Sequence, residues 1–317
     1  MTTSDVAPAR STSNKVSVLI PAFNEAENMP ELFAELASAC RAHDLDAEIV
    51  LVDDGSTDGT LEAARRAAGE AGLQDVRFLR HGSNRGKTEA LLTGARSASG
   101  EYLVVFDADL QHSPDEIARF VDVLDDGFDV VTGRKIGRYQ KRFVSSVYNL
   151  LSRLIFRVPV HDLNSMKAFR REVLLDLELR DDWHRYLVVL AHARGFRLGE
   201  IDIRLFPRRH GVSKYTGRRR VLVGTLDLLA VWFQVVFGRK PLLFFGMSGV
   251  VLLGLGALTG GVALYLRFVL ERGYRPLLTL VMLLVLVGLL LFILGFLAEL
   301  IAGLRSDVDA LRRDLRK

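Results

Sequence analysis

Apolar positions fall into two regimes along the chain. Up to about residue 215, short β-branched-rich runs at 16–20, 48–52, 76–79, 102–106 and 130–132 alternate with longer mixed segments, among them 26–42, 60–71 and 87–97. Such spacing predicts βαβ units and a mostly parallel sheet. Beyond residue 240 the pattern changes to two uncharged apolar stretches, 241–266 and 276–298, of 26 and 23 residues. A helix of about 20 apolar residues crosses ~30 Å of hydrocarbon, so both stretches predict membrane spans. The alternative, two buried soluble helices, would need a very large core.

Small residues at Gly249, Gly256, Gly260 and Gly288 would let the two helices approach closely, with Gly256 and Gly260 forming one G-x-x-x-G. Between the two regimes, 221–237 is apolar with one charge, Asp227, and carries Trp232 and Phe233. It reads as an interfacial helix, although 17 residues are only marginally too short for a third span. The expected organisation is therefore a disordered 1–15, a sheet domain over 16–215, a juxtamembrane amphipathic helix over 216–240, a membrane hairpin over 241–298 and a tail over 299–317.

Composition narrows the reading. Apolar residues make up 49% of the chain, which excludes disorder as its main state, and the single Cys40 excludes both a disulfide scaffold and a four-thiolate zinc site. Residues 1–15 are polar and lack the apolar core of a secretory signal. Basic residues flank the hairpin on both sides: Arg218, Arg219, Arg220, Arg239 and Lys240 before it, Arg305, Arg312, Arg313, Arg316 and Lys317 after it. Despite Arg267, Arg272 and Arg275 in its loop, that distribution favours a multi-pass protein of the inner membrane with both termini and the sheet domain in the cytoplasm. Net charge is +4, but residues 134–220 hold 21 basic against 8 acidic residues, so this segment should face something anionic.

Candidate chemistry lies where the strands end, since ligands of parallel sheets bind beyond the carboxyl ends of strands. Pro21-Ala22-Phe23-Asn24-Glu25 follows the first run, Asp53-Asp54-Gly55-Ser56-Thr57-Asp58-Gly59 the second, and Asp107-Ala108-Asp109-Leu110-Gln111-His112 the fourth. Ser56, Thr57 and Asp58 also suit a plain turn and helix cap. Asp107 and Asp109 repel each other unless a cation lies between them, and a hard divalent ion with oxygen ligands is the natural occupant. No Gly-x-Gly-x-x-Gly follows any run, which removes a dinucleotide dehydrogenase.

Taken together with Asn84-Arg85-Gly86-Lys87, these strings resemble glycosyltransferase family 2 proteins of the GT-A fold over about residues 16–215. Within that family the chain is most similar to the polyprenyl-phosphate hexose transferases, of the dolichol-phosphate mannose synthase type, one group of which carries a C-terminal pair of spans. The resemblance implies an α/β, Rossmann-like sheet domain that binds GDP-mannose or UDP-glucose. Pro21, Ala22, Asn24, Glu25, Asp53, Asp54, Lys87, Asp107, Ala108, Arg208, Ser213 and Lys214 would hold the nucleotide sugar, and Asp107, Asp109 and Gln111 would hold Mg2+ or Mn2+. Arg134, Lys141, Arg142 and Ser145 would grip the phosphate of a polyprenyl phosphate, with Lys141 and Arg142 equally placed for that contact.

Asp109, Arg134 and Asp162 are the implied catalytic residues. Where the family usually has Ser-Gly-Phe after the aspartate loop, this chain has Ser165-Met166-Lys167. The run 208–215 resembles a basic loop that closes over the diphosphate, and His184-Arg185-Tyr186 falls where the family reads sugar or acceptor; both also suit plainer roles, a juxtamembrane charge cluster and packing. Val144, Val147, Leu150, Leu151, Leu154 and Ile155 recur at helical spacing, as a stripe for a prenyl chain or as ordinary core. The expected activity is inverting transfer of mannose or glucose to polyprenyl phosphate at the cytoplasmic membrane face. A family member acting on another lipid or polysaccharide is the alternative, though the Gln-x-x-Arg-Trp segment of processive polymerases is missing. A non-catalytic membrane anchor would not need Asp107 and Asp109, and nothing here matches a nucleic-acid-binding module. Membrane lipid is an expected partner, and hairpins of this kind favour homo-oligomers.

Overall fold

The structure, a computed structural model, describes residues 15–137, 155–177, 179, 183–209, 229–238 and 240–314. The chain divides into two compact units, Met1–Gly217 and Arg218–Lys317. In the first, β1 (Val16–Ala22), β2 (Ala47–Asp53), β3 (Val76–Arg80), β4 (Tyr102–Val105), β5 (Val130–Ile136), β6 (Lys167–Arg170) and β7 (Leu198–Arg204) form one sheet in the order β3-β2-β1-β4-β6-β5-β7. Neighbours are parallel except β6, which runs antiparallel to both β4 and β5.

Helices α1 (Met29–Ala42), α2 (Thr60–Glu70), α3 (Lys87–Ser97), α4 (Glu116–Asp125), α5 (Arg171–Asp176) and α6 (Leu187–Ala193) accompany the sheet. β1 and β2 are almost continuously apolar because both their faces are covered. One face of the sheet, with Val18, Ile20, Ile49, Leu51 and Val104, packs on Leu32, Phe33 and Leu36 of α1, Ala64 of α2 and Phe120 of α4. Full burial of each large side chain here contributes about 1.5–3 kcal/mol. On the other face α3 lies so close that a Cβ on Gly94 would come within 3.3 Å of Val52 and 3.5 Å of Leu19. The helix expected over 26–42 begins instead with a 3-10 turn, Ala26–Asn28, and the α-helix proper starts at Met29. Pro30 in its first turn fits a position whose N–H needs no intrahelical partner.

At the amino edge of the sheet a buried carboxylate ties three strands together. Glu48 is fully enclosed; its Oε1 accepts Ser17 Oγ at 2.5 Å, the Gly100 N–H at 3.0 Å and the Ser99 N–H, and Arg77 lies 3.4 Å from Oε2. Burial pushes this carboxyl up, but those hydrogen bonds outweigh it and hold the group below its ordinary value. Gly100 is required there, because a Cβ would fall 2.5 Å from Ser17 Oγ and 2.6 Å from the Lys15 carbonyl.

The second unit has a helical segment at 229–237, then α7 (Pro241–Phe268) and α8 (Arg275–Asp314). Pro241–Phe268 and Arg275–Leu304 are long and apolar enough to cross a membrane, and α8 continues without a break to Asp314. The helices meet through glycines: a Cβ on Gly249 would lie 2.6 Å from the Gly288 carbonyl, and one on Gly295 would lie 2.9 Å from the Gly246 nitrogen. Gly256 sits against Val285, whereas Gly260 has only ordinary contact with Val281, so the G-x-x-x-G is used at one end. Ser248, Thr259 and Thr279 return their hydroxyls to carbonyls four residues back, which leaves the outer faces apolar.

Candidate active site

Four strand exits on the carboxyl edge build a crevice. After β1, Asn24 takes a left-handed φ of 52°, its N–H donates to Ser56 Oγ at 2.9 Å, and its Oδ1 accepts the Thr57 N–H at 2.9 Å. Glu25 donates its N–H to Thr60 Oγ1 at 2.9 Å, and Asp58 accepts the N–H groups of Ala26 and Thr60. The exits of β1 and β2 are thus laced into one wall, with Pro21 and Ala22 closing β1. Ser56, Thr57 and Asp58 do the plain turn-and-cap work that their residue types suggest.

Asp53 and Asp54 serve this wall from inside. Asp53 accepts the Ser56 N–H at 2.9 Å and faces Arg80 at 3.4 Å. Asp54, expected to face a nucleoside, is buried; it meets His81 Nδ1 at 2.7 Å and accepts the N–H groups of Arg85 at 2.9 Å and Gly86 at 2.8 Å. Both of its oxygens are engaged in holding the loop before α3. Gly55 makes that approach feasible: its φ is +74°, and a Cβ would stand 2.6 Å from the backbone of Ser83.

That loop delivers Lys87, at the first turn of α3, to the end of β4. Lys87 pairs with Asp107 in a short contact, and Arg208, from the segment after β7, pairs with Asp109 at 2.7 Å. Burial raises the Asp107 carboxyl, but the Lys87 ammonium wins and holds it well below the carboxylate range. Asp109 goes the other way: burial, then repulsion from Asp107, push it up against the pull of Arg208. Between Asp109 and Gln111 the buried Leu110 adopts a φ of 57°, which a non-glycine residue holds only where its surroundings enforce it. Here the enforcing contacts are the Gln111 N–H to Asp109, 3.3 Å, and the Phe206 N–H to the Gln111 carbonyl, 2.9 Å. Gln111 donates its side-chain amide to the Phe206 carbonyl at 3.4 Å, so it braces the segment after β7. Arg209 fixes the same segment to α1 through Glu35, 2.7 Å, and Glu31.

Among the described residues no group of three or more His, Cys, Asp or Glu side chains forms a metal cage. The two carboxylates still suit a hard divalent ion, which takes one or two protein carboxylates and completes its shell with water and substrate phosphates. Each carboxylate is paired with a base, Asp107 with Lys87 and Asp109 with Arg208.

Beneath Asp107 lies a small recess lined by Lys87, Val105, His112, Ser165, Lys167 and His184. Lys167 enters from the start of β6, in register with Val105 of β4 and Thr132 of β5. Burial, then repulsion from Lys87, lower its ammonium to about 7, and burial pulls His112 down to about 4, so that imidazole is neutral. His184 is likewise driven well below its usual value by burial and Lys87, and its Nδ1 lies 3.1 Å from Thr88 Oγ1.

Arg134 and Asp162 lie on the β5 side. Arg134 grips Asp202 of β7 with two hydrogen bonds, 2.5 and 2.8 Å, on an exposed surface. Asp162 is buried; it accepts the Asn164 N–H at 2.9 Å and has Lys135 at 3.5 Å, while Lys135 also donates to the Asn164 carbonyl at 2.7 Å. Lys135 therefore neutralises Asp162 and pins its loop. Lys141, Arg142, Ser145 and the apolar stripe up to Leu154 lie outside the described residues, as do Ser213 and Lys214.

The sequence profile described as Glycosyl transferase family 2 matches residues 17–183. A dodecaprenyl-phosphate galacturonate synthase of Rhizobium johnstonii is 35% identical, the alignment covering 96% of this chain and 94% of the relative. An undecaprenyl-phosphate 4-deoxy-4-formamido-L-arabinose transferase of Aeromonas hydrophila is 29% identical over 93% of this chain and 90% of its own. Among solved structures, glucosyl-3-phosphoglycerate synthase of Mycobacterium tuberculosis, in complex with Mn2+, UDP and phosphoglyceric acid, superposes with a TM-score of 0.55 at 20% identity, covering 70% of this chain and 78% of the other. That likeness shows the GT-A fold.

Proposed function

Because the chain belongs to glycosyl transferase family 2, we propose that this glycosyltransferase moves a sugar from a nucleotide sugar to polyprenyl phosphate at the membrane surface. The observation that carries the reading is the pair Asp107 and Asp109 at the exit of β4, each held against a base in the carboxyl-edge crevice. Relatives named for polyprenyl-phosphate acceptors, similar over nearly their whole length, support the acceptor class. Two helices able to span a membrane support its location, and their basic flanks favour a cytoplasmic catalytic unit.

The donor lies with its nucleoside toward the wall of β1 and β2 and its diphosphate toward Asp107 and Asp109. These two carboxylates hold Mg2+ or Mn2+, which when bound stabilises the charge that develops on the departing diphosphate. Lys87 and Arg208, the bases paired with these carboxylates, would turn to the diphosphate oxygens of a bound donor. Ser213 and Lys214 extend the same basic segment on this reading.

The acceptor is a phosphate monoester with a second pKa of about 6, so near neutral pH it is largely a dianion and needs little help from a base. That fits an Asp162 already neutralised by Lys135, whose part is to shape the loop beside the acceptor. A phosphate oxygen attacks the anomeric carbon from the face opposite the diphosphate; the new C–O bond forms as the old one breaks, and configuration inverts. Arg134 would exchange Asp202 for the acceptor phosphate, with Lys141 or Arg142 and Ser145 as partners.

Mannose and glucose are the sugars suggested by the resemblance, whereas the relatives are named for other sugars. Purified full-length protein in detergent with Mn2+, polyprenyl phosphate and labelled nucleotide sugars provides the test. Label should enter the lipid phase only with both acceptor and metal present; donor binding without any transfer to polyprenyl phosphate would defeat the acceptor assignment.

A further inference from the structure

The recess beside Asp107 holds a buried amine that no carboxylate among the described residues pairs directly. Lys167 is 7% exposed, and its one hydrogen bond goes to the Ser165 carbonyl two residues away, at 2.9 Å. Among the described residues no carboxylate stands within ion-pair distance of it, whereas Lys87, on the same recess, has its charge taken by Asp107. Two more polar atoms, on residues that line the recess, are buried and unpartnered: Nδ1 of His112 and Oγ of Ser165. Four other such atoms, on Asn28, Glu48, Asp53 and Arg171, are found among the described residues away from the recess. These two instead belong to residues that share one hollow with the half-satisfied Lys167, and that gathering points to a ligand that completes them.

The chemistry of the missing partner can be read from the donors. An ammonium with two N–H groups to spare and a hydroxyl ask for acceptor oxygens, and the uncompensated charge asks for an anion. Leu91, Val105 and Leu187 close the hollow with apolar surface, which leaves room for a substituent rather than a solvated chain. With the diphosphate held at Asp107 and Asp109 as proposed, the part of the donor that would reach this recess is the sugar. A neutral hydroxymethyl would leave the ammonium buried and unpaired, while a carboxylate would satisfy it.

We infer that Lys167, with Ser165 and His112, receives a carboxylate on the donor sugar, so that the donor is a nucleotide hexuronate in place of a neutral hexose derivative. The inference rests on the reading of Asp107 and Asp109 as the donor diphosphate site. The same oxyanion chemistry could come from the acceptor phosphate, and the two sources separate by experiment.

The full-length protein in detergent with Mn2+ is titrated, without acceptor, with UDP-galacturonate, UDP-galactose, UDP-glucuronate, UDP-glucose and UDP; if UDP does not bind, GDP-mannuronate, GDP-mannose and GDP replace them. Each uronate should bind at least about tenfold more tightly than its neutral counterpart. Lys167→Met should bring that ratio to within about twofold and leave affinity for the bare nucleotide unchanged. Ser165→Ala, a milder change, should reduce the ratio by a few fold and replaces Lys167→Met as the test if that variant no longer binds nucleotide. Equal affinities in the wild type, or a preference that survives these variants, overturns the inference. So does a Lys167→Met variant altered only in its dependence on polyprenyl phosphate, which would assign the anion to the acceptor. A uronate preference in binding with no transfer to polyprenyl phosphate leaves the inference standing and removes the acceptor reading instead.

Discussion

Glu48 at the amino edge of the sheet and Lys167 near its carboxyl edge are both buried ionisable groups on strands, yet their surroundings differ. Glu48 Oε1 receives a hydroxyl and two N–H groups, with Arg77 facing the other oxygen. Lys167 makes one hydrogen bond, to its own turn, and shares its recess with two orphaned polar atoms. Desolvation acts on both groups alike. Where three hydrogen bonds converge on one oxygen and an arginine faces the other, the carboxyl is held charged and three strands are joined; where one hydrogen bond is made, the ammonium is weakened and a cavity remains. The first cluster serves the fold, and the second, on the inference drawn above, awaits a ligand.

The sharpest way to break this contrast is at the carboxyl edge. Asp109→Asn should lower transfer by about a thousandfold or more, as expected when several kcal/mol of charge stabilisation are removed, with no loss of thermal stability. Saturating EDTA should mimic it; full activity in EDTA would remove the metal from Asp107 and Asp109. Arg134→Ala comes next. Its effect should be about tenfold or more on the dependence of rate on polyprenyl phosphate, with nucleotide affinity unchanged. Equal loss of nucleotide affinity would move Arg134 to the donor side.

At the amino edge the outcome should invert. Glu48→Gln should cost about 1.5–3 kcal/mol of stability, visible as a lowered melting temperature, while the rate per folded molecule stays as in the wild type. The pH dependence has a definite sign. The folded carboxyl is held below its ordinary value of 4.5, so its stabilisation is fully present above that pH and is lost as pH falls through the lowered value. In Glu48→Gln this acid-side loss should shrink; an unchanged acid limb would show that other carboxyls govern it. The smallest effect belongs to Arg209→Ala, on an exposed ion pair, with a change in donor KM of less than about fivefold.

The parallel core was legible because β1, β2 and β4 are buried on both faces and read as apolar runs. β6 escaped notice: it is four residues long, and Lys167 and Arg170 bracket its two apolar positions. β7, at the sheet edge, mixes Glu200 and Asp202 with apolar residues and gave no run either. Asp107, Asp109, Lys87 and Arg208 could be placed from motif order alone, and the fold brings them together. What residue order could not show was direction. Asp54 and Asp162 sit in motif loops, but Asp54 turns inward to His81 and the backbone of Arg85 and Gly86, and Asp162 turns to Lys135. For Lys167 the signal was present as the departure Ser165-Met166-Lys167; only the pairing of β6 with β4 and β5 carries it to the site.

Because β6 runs against its neighbours, it brings its first residues to the edge where β1, β2 and β4 bring their last. The donor platform hangs on loops that lead onward into helices, so change there disturbs the helices as well. Residues 165–167 instead lead into and open a short strand whose next two positions, Ala168 and Phe169, are buried and paired. On the proposed reading, exchanging side chains at that entrance would retune which sugar is accepted while the diphosphate grip stays as it is. On that reading the reversed strand would uncouple substrate choice from the chemistry of transfer, leaving one small place free to vary beside a large one that must stay fixed.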